Sequence, residues 1–277
     1  MSQTGHQALA EAVRRLAAAG APDAAGDALA LLAFALGVPR HSVRGELSQS
    51  LPAPAQAAFA AAIEARAARQ PVSQILGGRE FWKHRFRVTQ DTLDPRPETE
   101  TLVAAALELP WDTLLDLGTG TGAILLSLLA ERPHARGLGV DMSQAALEVA
   151  QDNARALGIT TDFRRSDWFS AVEGRFGLIL SNPPYIALDE MAALSPEVRE
   201  WEPRLALTDG GDGLGAYRTI VAGAGAHLLP QGWLAVEIGP TQGAAVAGMM
   251  AAAGFRRIAL RPDLDGRDRV VMGQFIP

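Results

Sequence analysis

The chain has 277 residues, 48% of them hydrophobic, and a formal net charge of −6, a composition that can bury a full core and still leave residues for a smaller second domain. It has no cysteine, which excludes disulfides, thiolate zinc sites and cysteine nucleophiles together and fits a cytoplasmic protein; no metal cofactor is expected. The acidic balance argues against stable nucleic-acid binding through phosphates, which needs a surplus of Lys and Arg on one face.

In chain order, residues 1–75 read as a helical bundle. Leu9, Val13 and Leu16 recur at helical spacing before Gly20 and Pro22. A second run, Asp27 to Leu36, ends at Gly37 with Pro39 beyond, and a third, from about Ala55 to Arg69, stops at Pro71. Residues 1 to 70 carry a charge of +1 and the remainder −7, so neither part resembles a DNA clamp. Met1 to Gly5 lacks the cationic region and apolar core of a signal peptide, and no apolar run approaches the ~20 residues of a membrane span. A monomer is expected.

Residues 76–93 read as a hairpin or extended linker, because Phe81, Trp82, Phe86 and Val88 are interleaved with charges. A second domain, 94–277, follows. Strands at 113–117, 136–140, 176–181, 232–238 and 269–275 alternate with helices at about 122–131, 143–157, 216–228 and 241–253. A further strand precedes Asp167. This alternation predicts an α/β fold, a mostly parallel sheet with helices on both faces. The last two strands, joined through Phe255 to Gly266, are expected to form an antiparallel hairpin at the sheet edge. Residues 187–217, with Pro196, Pro203 and the glycines from Gly210 to Gly215, are too irregular for one core helix. They read as a lid after a ligand site, or as a surface insertion.

Two motifs carry chemistry. In Asp116-Leu117-Gly118-Thr119-Gly120-Thr121-Gly122, glycines following a buried strand let backbone pass close to a ligand before the next helix begins. Asp141, at the end of the next strand, is placed to accept from ribose hydroxyls. This pattern serves S-adenosylmethionine (SAM) and nicotinamide dinucleotides equally. Asp116 helps to separate them, since an acidic residue before the loop can face an ammonium, which SAM has and the dinucleotides lack. Asp167 or its neighbouring amides can meet an adenine amino group, and Trp168 can pack on the ring.

The second motif is Asn182-Pro183-Pro184-Tyr185, directly after the apolar run Phe176 to Leu180. Two prolines in succession end a strand and stiffen the turn. The Asn182 side-chain oxygen and the Pro183 carbonyl can accept both N–H bonds of a planar amide or amine while Tyr185 packs against it. An amide nitrogen is a poor nucleophile, so orientation and electrostatics must do most of the work. An exocyclic adenine N6 fits the same clamp, which keeps a DNA or RNA methyltransferase open. A non-catalytic SAM-binding regulator is the alternative from another class, although it needs no acceptor clamp.

With their flanking segments, these residues resemble the HemK-type (PrmC) release-factor glutamine methyltransferases of the class I SAM-dependent superfamily. The likeness runs in order from Gln70 to the end of the chain, through Gln70 to Gly77, Glu80-Phe81-Trp82, Asp94 to Glu100, Leu115 to Gly122, Val140-Asp141, Ser181 to Ile186, Glu202 to Leu207, Gly210 to Leu214 and Glu237-Ile238-Gly239. It implies a seven-stranded Rossmann-like SAM-dependent methyltransferase sheet behind a small all-helical N-terminal domain. It also implies N5-methylation of the glutamine in the Gly-Gly-Gln motif of class 1 peptide-chain release factors. On matching positions, Gly118 to Gly122, Asp141 and Trp168 would hold SAM and Asn182 to Tyr185 the target glutamine. Arg96 and Glu98 fall in the family's Pro-Arg-Pro segment without an individual role. Gln74 stands where the family usually has Tyr, and Asp94 where Ile commonly precedes that segment.

Overall fold

A computed structural model describes residues 3–276; Met1 and Ser2, on which the signal-peptide expectation partly rests, and Pro277 lie outside them. The chain opens with helices α1 (Gly5–Ala18), α2 (Ala24–Leu36), α3 (Val43–Glu46), α4 (Ala53–Ala67) and α5 (Val72–Ile75). A hairpin of β1 (Arg79–Phe81) and β2 (His84–Phe86) follows, then α6 (Glu100–Leu107), β3 (Thr113–Leu117), α7 (Ala123–Glu131), β4 (Arg136–Asp141), α8 (Gln144–Leu157) and β5 (Asp162–Arg165). The rest is β6 (Phe176–Ser181), α9 (Pro196–Trp201), α10 (Gly215–His227), β7 (Leu228–Glu237), α11 (Gly243–Ala252), β8 (Arg256–Pro262) and β9 (Asp268–Gln274). These form two compact units. One comprises the residues up to Gly78 together with Ser195–Trp201, the other Arg79–Leu194 and the chain from Glu202 onward.

In the helical unit, Thr4 and Gln7 cap α1 reciprocally, Thr4 Oγ1 accepting from the Gln7 amide and Gln7 Oε1 from the Thr4 amide. Asp23 caps α2 by accepting from the Gly26 amide at 2.9 Å, and Gly37, at φ 66°, ends it in the left-handed conformation. The buried face of α1 is Ala8, Ala12 and Leu16, while Leu9 and Val13 are only half-buried. The face is thus turned from the one Leu9 and Val13 suggest, because methyl-sized side chains allow α2 to approach. Leu16, Leu31, Leu32, Val43, Phe59 and Ile63 complete this core.

The irregular stretch after Tyr185 contributes α9 to this same unit. Glu197 of α9 accepts from Arg69 Nη2 at 2.6 Å and from Arg66 Nη2 at 2.9 Å, and Arg66 Nε also donates to Asp27 at 2.7 Å. Gln74 Nε2 donates to the Trp201 carbonyl at 2.8 Å.

The second unit is built on a seven-stranded sheet, among the described residues, of order β5-β4-β3-β6-β7-β9-β8. β3, β4, β5, β6 and β7 pair in parallel, while β7 with β9 and β9 with β8 pair antiparallel. Both faces are covered. Leu114, Leu178, Leu180 and Met272 meet α6 and α7 residues on one side, and Leu115, Ile179, Leu234 and Val271 meet α10 and α11 residues on the other. That explains the nearly unbroken apolar runs of β3 and β6.

The antiparallel end differs from expectation in one respect. The chain between Phe255 and Gly266 holds a strand of its own, β8, which takes the edge and leaves β9 inside, between β7 and β8. Ile258 and Leu260 are only half-buried between arginines, the weak alternation of an edge strand. From β3 the chain winds outward through β4 and β5, then returns to β6 on the other side of β3. That reversal opens a crevice at the carboxyl ends of the strands.

Candidate functional site

The glycine loop leaves β3 at this reversal. The Thr119 amide donates to the Val140 carbonyl at 2.9 Å, stitching the loop to β4. Gly118 and Gly120 have φ of 69° and 55°, and a Cβ at either would meet nothing within 4 Å. Glycine is needed there for backbone conformation, and the space beside it is open. Gly122, at φ 78°, begins α7 against Leu126 and Ala150. From α8, buried Asn153 donates to the Thr121 carbonyl at 2.9 Å and accepts from the Arg87 amide at 2.7 Å, fixing both the loop and the exit of the hairpin.

Asp141 ends β4. Its Oδ2 accepts from the Gly120 amide at 3.0 Å and its Oδ1 from Ser143 at 2.9 Å; burial pushes its carboxyl above the ordinary range. Asp116 lies beneath the loop, fully buried. Its Oδ2 accepts from Thr119 Oγ1 at 2.7 Å, whereas Oδ1 makes no hydrogen bond of normal geometry, the Leu125 amide being only a weak partner. Burial drives this carboxyl up to about 7. After β5, Ser166 Oγ donates to the Trp168 carbonyl at 2.7 Å and accepts from Ala171, holding Trp168 at φ 48°.

β6 ends where Ser181 Oγ donates to the Leu117 carbonyl at 2.8 Å, and the following two prolines donate nothing. Asn182 Nδ2 donates to Thr99 Oγ1 at 3.3 Å. Gln242, leading into α11, secures the far side of the turn. Its Nε2 donates to the carbonyls of Tyr185 at 2.9 Å and Gly213 at 3.1 Å, and its Oε1 accepts from the Gly239 amide and the Tyr217 hydroxyl. Tyr185 is half-buried against the α10 and α11 side of the sheet, and burial raises its hydroxyl to about 12.

One cleft of about 1160 Å³, open mouth included, joins these parts. Gly118, Thr119, Gly120, Thr121, Asp141, Asp167, Trp168, Asn182 and Pro184 line it. Asp116, Gly122, Pro183 and Tyr185 do not: Asp116 supports the loop from below, Gly122 caps the helix, Pro183 is buried and Tyr185 packs inward. Phe81, Thr92, Leu93, Pro95 and Thr99 also line the cleft, as do Pro203, Leu205 and Ala206. Motif reasoning passed over these. Phe81, Thr92 and Leu93 sit in the segment that reads as linker, while Pro95, Thr99, Pro203, Leu205 and Ala206 fall in segments of the family likeness without an individual role.

Residues 7–77 match the PrmC N-terminal domain family, and residues 89–197 the methyltransferase small domain family. A release factor glutamine methyltransferase of Cereibacter sphaeroides is 61% identical over 266 residues, 95% of this chain and 96% of the relative. The chain belongs to the release factor glutamine methyltransferases. Members from Caulobacter vibrioides, 42% identical over 99% of this chain and 97% of the relative, and from Moorella thermoacetica, 43% identical over 96% of each, are similar along their full extent. Among solved structures, a Pyrococcus furiosus methyltransferase shares the fold at TM-score 0.53 and 16% identity, covering 69% of this chain and 89% of the other. A Thermus thermophilus 16S rRNA N2 G1207 methyltransferase in complex with AdoMet and guanosine does so at TM-score 0.51 and 19% identity, covering 71% and 49%.

Asp94 and Gln74 have local partners. Asp94 is buried and pairs with Arg79 at 3.0 Å and Arg96 at 3.7 Å, so its carboxylate lies where two arginines meet. Arg96 Nη2 also bridges both oxygens of Glu202, at 2.6 and 2.7 Å. Gln74 uses its amide nitrogen on Trp201 and leaves its buried Oε1 without a partner. No helix among the described residues is long and apolar enough to cross a membrane.

Proposed function

We propose that this methyltransferase uses SAM to methylate N5 of the glutamine in the Gly-Gly-Gln motif of class 1 peptide-chain release factors, acting in the cytoplasm. One observation carries this reading: the glycine loop and the Asn182 turn open into the same cleft from adjacent parallel strands, β3 and β6. The residues present suit SAM. The loop leaves room at Gly118 and Gly120, Asp141 borders the cleft as an acceptor for ribose hydroxyls, and Trp168 offers a ring for adenine. Asp116, buried below the loop, supports the loop rather than making a direct contact, and a cationic ligand above it would favour its ionised form. When bound, SAM supplies a methyl group on a positively charged sulfur.

The acceptor side follows from the turn. Asn182 Oδ1, at the cleft wall, accepts one N–H bond of the glutamine amide, and the carbonyl of Pro183, a residue itself buried behind that wall, is the acceptor for the other, aiming the nitrogen's lone pair into the cleft. As the nitrogen formed its bond to the methyl carbon, the carbon–sulfur bond would break and leave its electron pair on a neutral thioether sulfur; the nitrogen would become positive and its N–H groups better donors, so both hydrogen bonds would strengthen in the transition state. Tyr185 backs the turn as a neutral group, its hydroxyl holding its proton at any working pH. No base is needed before transfer, because the methylated nitrogen loses its extra proton readily afterwards. Pro203, Leu205 and Ala206 add apolar surface that excludes water.

The test is peptide-resolved mass spectrometry of a class 1 release factor incubated with the protein and SAM, beside a factor whose Gly-Gly-Gln glutamine is replaced by alanine. One added methyl confined to that glutamine is the expected result. Methylation of nucleic acid instead would overturn the assignment. Asn182→Ala should lower kcat by roughly 10²-fold, with the SAM Kd measured by calorimetry changed only a few-fold.

A further inference from the structure

Glu237, at the end of β7, is a fully buried acid of the second unit. It is 0% exposed, and neither carboxylate oxygen makes a hydrogen bond of normal geometry. Such a group in a core normally carries a penalty without return. The polar side chain facing it is Thr99, itself 4% exposed, whose hydroxyl favours the ionised carboxylate. Thr99 Oγ1 is also the atom that accepts from Asn182 Nδ2 at 3.3 Å. The three residues come from β7, the turn into α6 and the end of β6, so no local sequence constraint brings them together.

A side-chain amide can occupy its site in two orientations, and only one presents oxygen to a substrate N–H. A threonine hydroxyl can donate or accept, so by itself it does not choose between them. An ionised carboxylate can only accept. We propose that Glu237 and Thr99 are positioning residues: the carboxylate accepts a hydrogen bond from the Thr99 hydroxyl, which keeps its proton, Thr99 then presents only lone pairs to Asn182, and Asn182 is held with Nδ2 inward and Oδ1 toward the cleft. The role rests on the glutamine-methylating function proposed above. It also accounts for a buried acid that makes no step of that reaction. Arg269 on β9, Arg96 and Glu98 before α6, Tyr185 in the turn and Tyr217 on α10 are the other charged or titratable groups near Glu237. Arg269 and Arg96 favour its ionised form.

Two measurements on the full-length protein test the pair. The first is steady-state methylation of a release factor at saturating SAM by wild type, Thr99→Val, Thr99→Ser and Glu237→Gln, with the SAM Kd and melting temperature of each. Thr99→Val, which keeps shape and loses the hydroxyl, should lower kcat 10- to 100-fold with the SAM Kd within twofold. Thr99→Ser should recover kcat to within about threefold of wild type. A Thr99→Val kcat within twofold of wild type, or a Ser variant as impaired as Val, would overturn the proposal and leave Thr99 a packing residue.

The second measurement needs no turnover: an NMR cross-peak between the Asn182 side-chain amide protons and the Thr99 methyl. It should be present in wild type and weakened in Glu237→Gln. Its absence in wild type would sink the pairing whatever the kinetics show. Its presence in a wild-type protein that transfers no methyl to release factor would sustain the pairing and overturn the reaction instead.

Discussion

Asp116 and Glu237 are fully buried carboxylates of the sheet, and burial raises each to about 7. In an unfolded chain they titrate near ~4. Between those values the folded protein binds more protons than the unfolded one, so stability declines as pH rises through this window and levels off above it. The sign is opposite to that of an ion-paired carboxylate. At roughly 1.4 kcal/mol per unit of pKa difference, each residue is worth on the order of a few kcal/mol between acid and alkaline plateaus. The melting temperature should therefore be higher at pH 5.5 than at pH 8, and Asp116→Asn or Glu237→Gln should each flatten the profile. A melting temperature that climbs steadily from pH 5.5 to pH 8 would show that these acids are already charged at low cost. Their presence in a core fits function at their positions, one below the glycine loop and the other behind Asn182.

At the scale of elements, the Asn182–Tyr185 turn depends on parts far from it in sequence. Gln242 uses its whole amide to bind the Tyr185 and Gly213 carbonyls, the Gly239 amide and the Tyr217 hydroxyl. Gly213 has φ 74°, and a Cβ there would lie 2.3 Å from the Tyr185 carbonyl oxygen, so β6, the loop before α10 and the start of α11 meet at one point. Gln242→Ala should cost about 2–3 kcal/mol, as buried partners lose their bonds, and should lower kcat with little effect on the SAM Kd. An unchanged kcat in a folded variant would show that the prolines alone hold the turn. This dependence also marks what the sequence could reveal. The Gly118 to Gly122 loop and the Asn182 turn are legible because each is contiguous and carries its own backbone logic. Gln242, Thr99 and Glu237 are scattered polar residues whose meaning lies in contacts across the sheet. The edge strand β8 was obscured for a similar reason, since its arginines hide a short alternation. On α1, alanine turned the buried face away from the larger Leu9 and Val13.

At the scale of the whole molecule, the chain enters the helical unit twice, and its second visit, α9, is held chiefly through Glu197. Arg66 is 4% exposed and has two carboxylate partners, Asp27 and Glu197. Burial pushes Glu197 upward, but Arg69 and Arg66 outweigh it and bring the carboxyl down to about 2. Its contribution is thus fully present above the unfolded value of ~4.3 and is lost only as pH falls toward 2. Such a cluster need not outperform an apolar replacement, yet removing one partner leaves a buried charge uncompensated and costs roughly 3–5 kcal/mol. Glu197→Ala should accordingly speed hydrogen exchange in residues 195–201 and in α4, while amides of β3, β6 and β7 keep their protection. The wild-type protein offers an independent check. After correction for intrinsic exchange rates, lowering pH from 8 to 5.5 should increase protection of the central strands, where Asp116 and Glu237 lie, and leave the helical unit unchanged, because Glu197 stays ionised throughout. Equal changes in both units would mean that they unfold as a single cooperative body, and the two sets of acids would then act on one shared stability rather than on two.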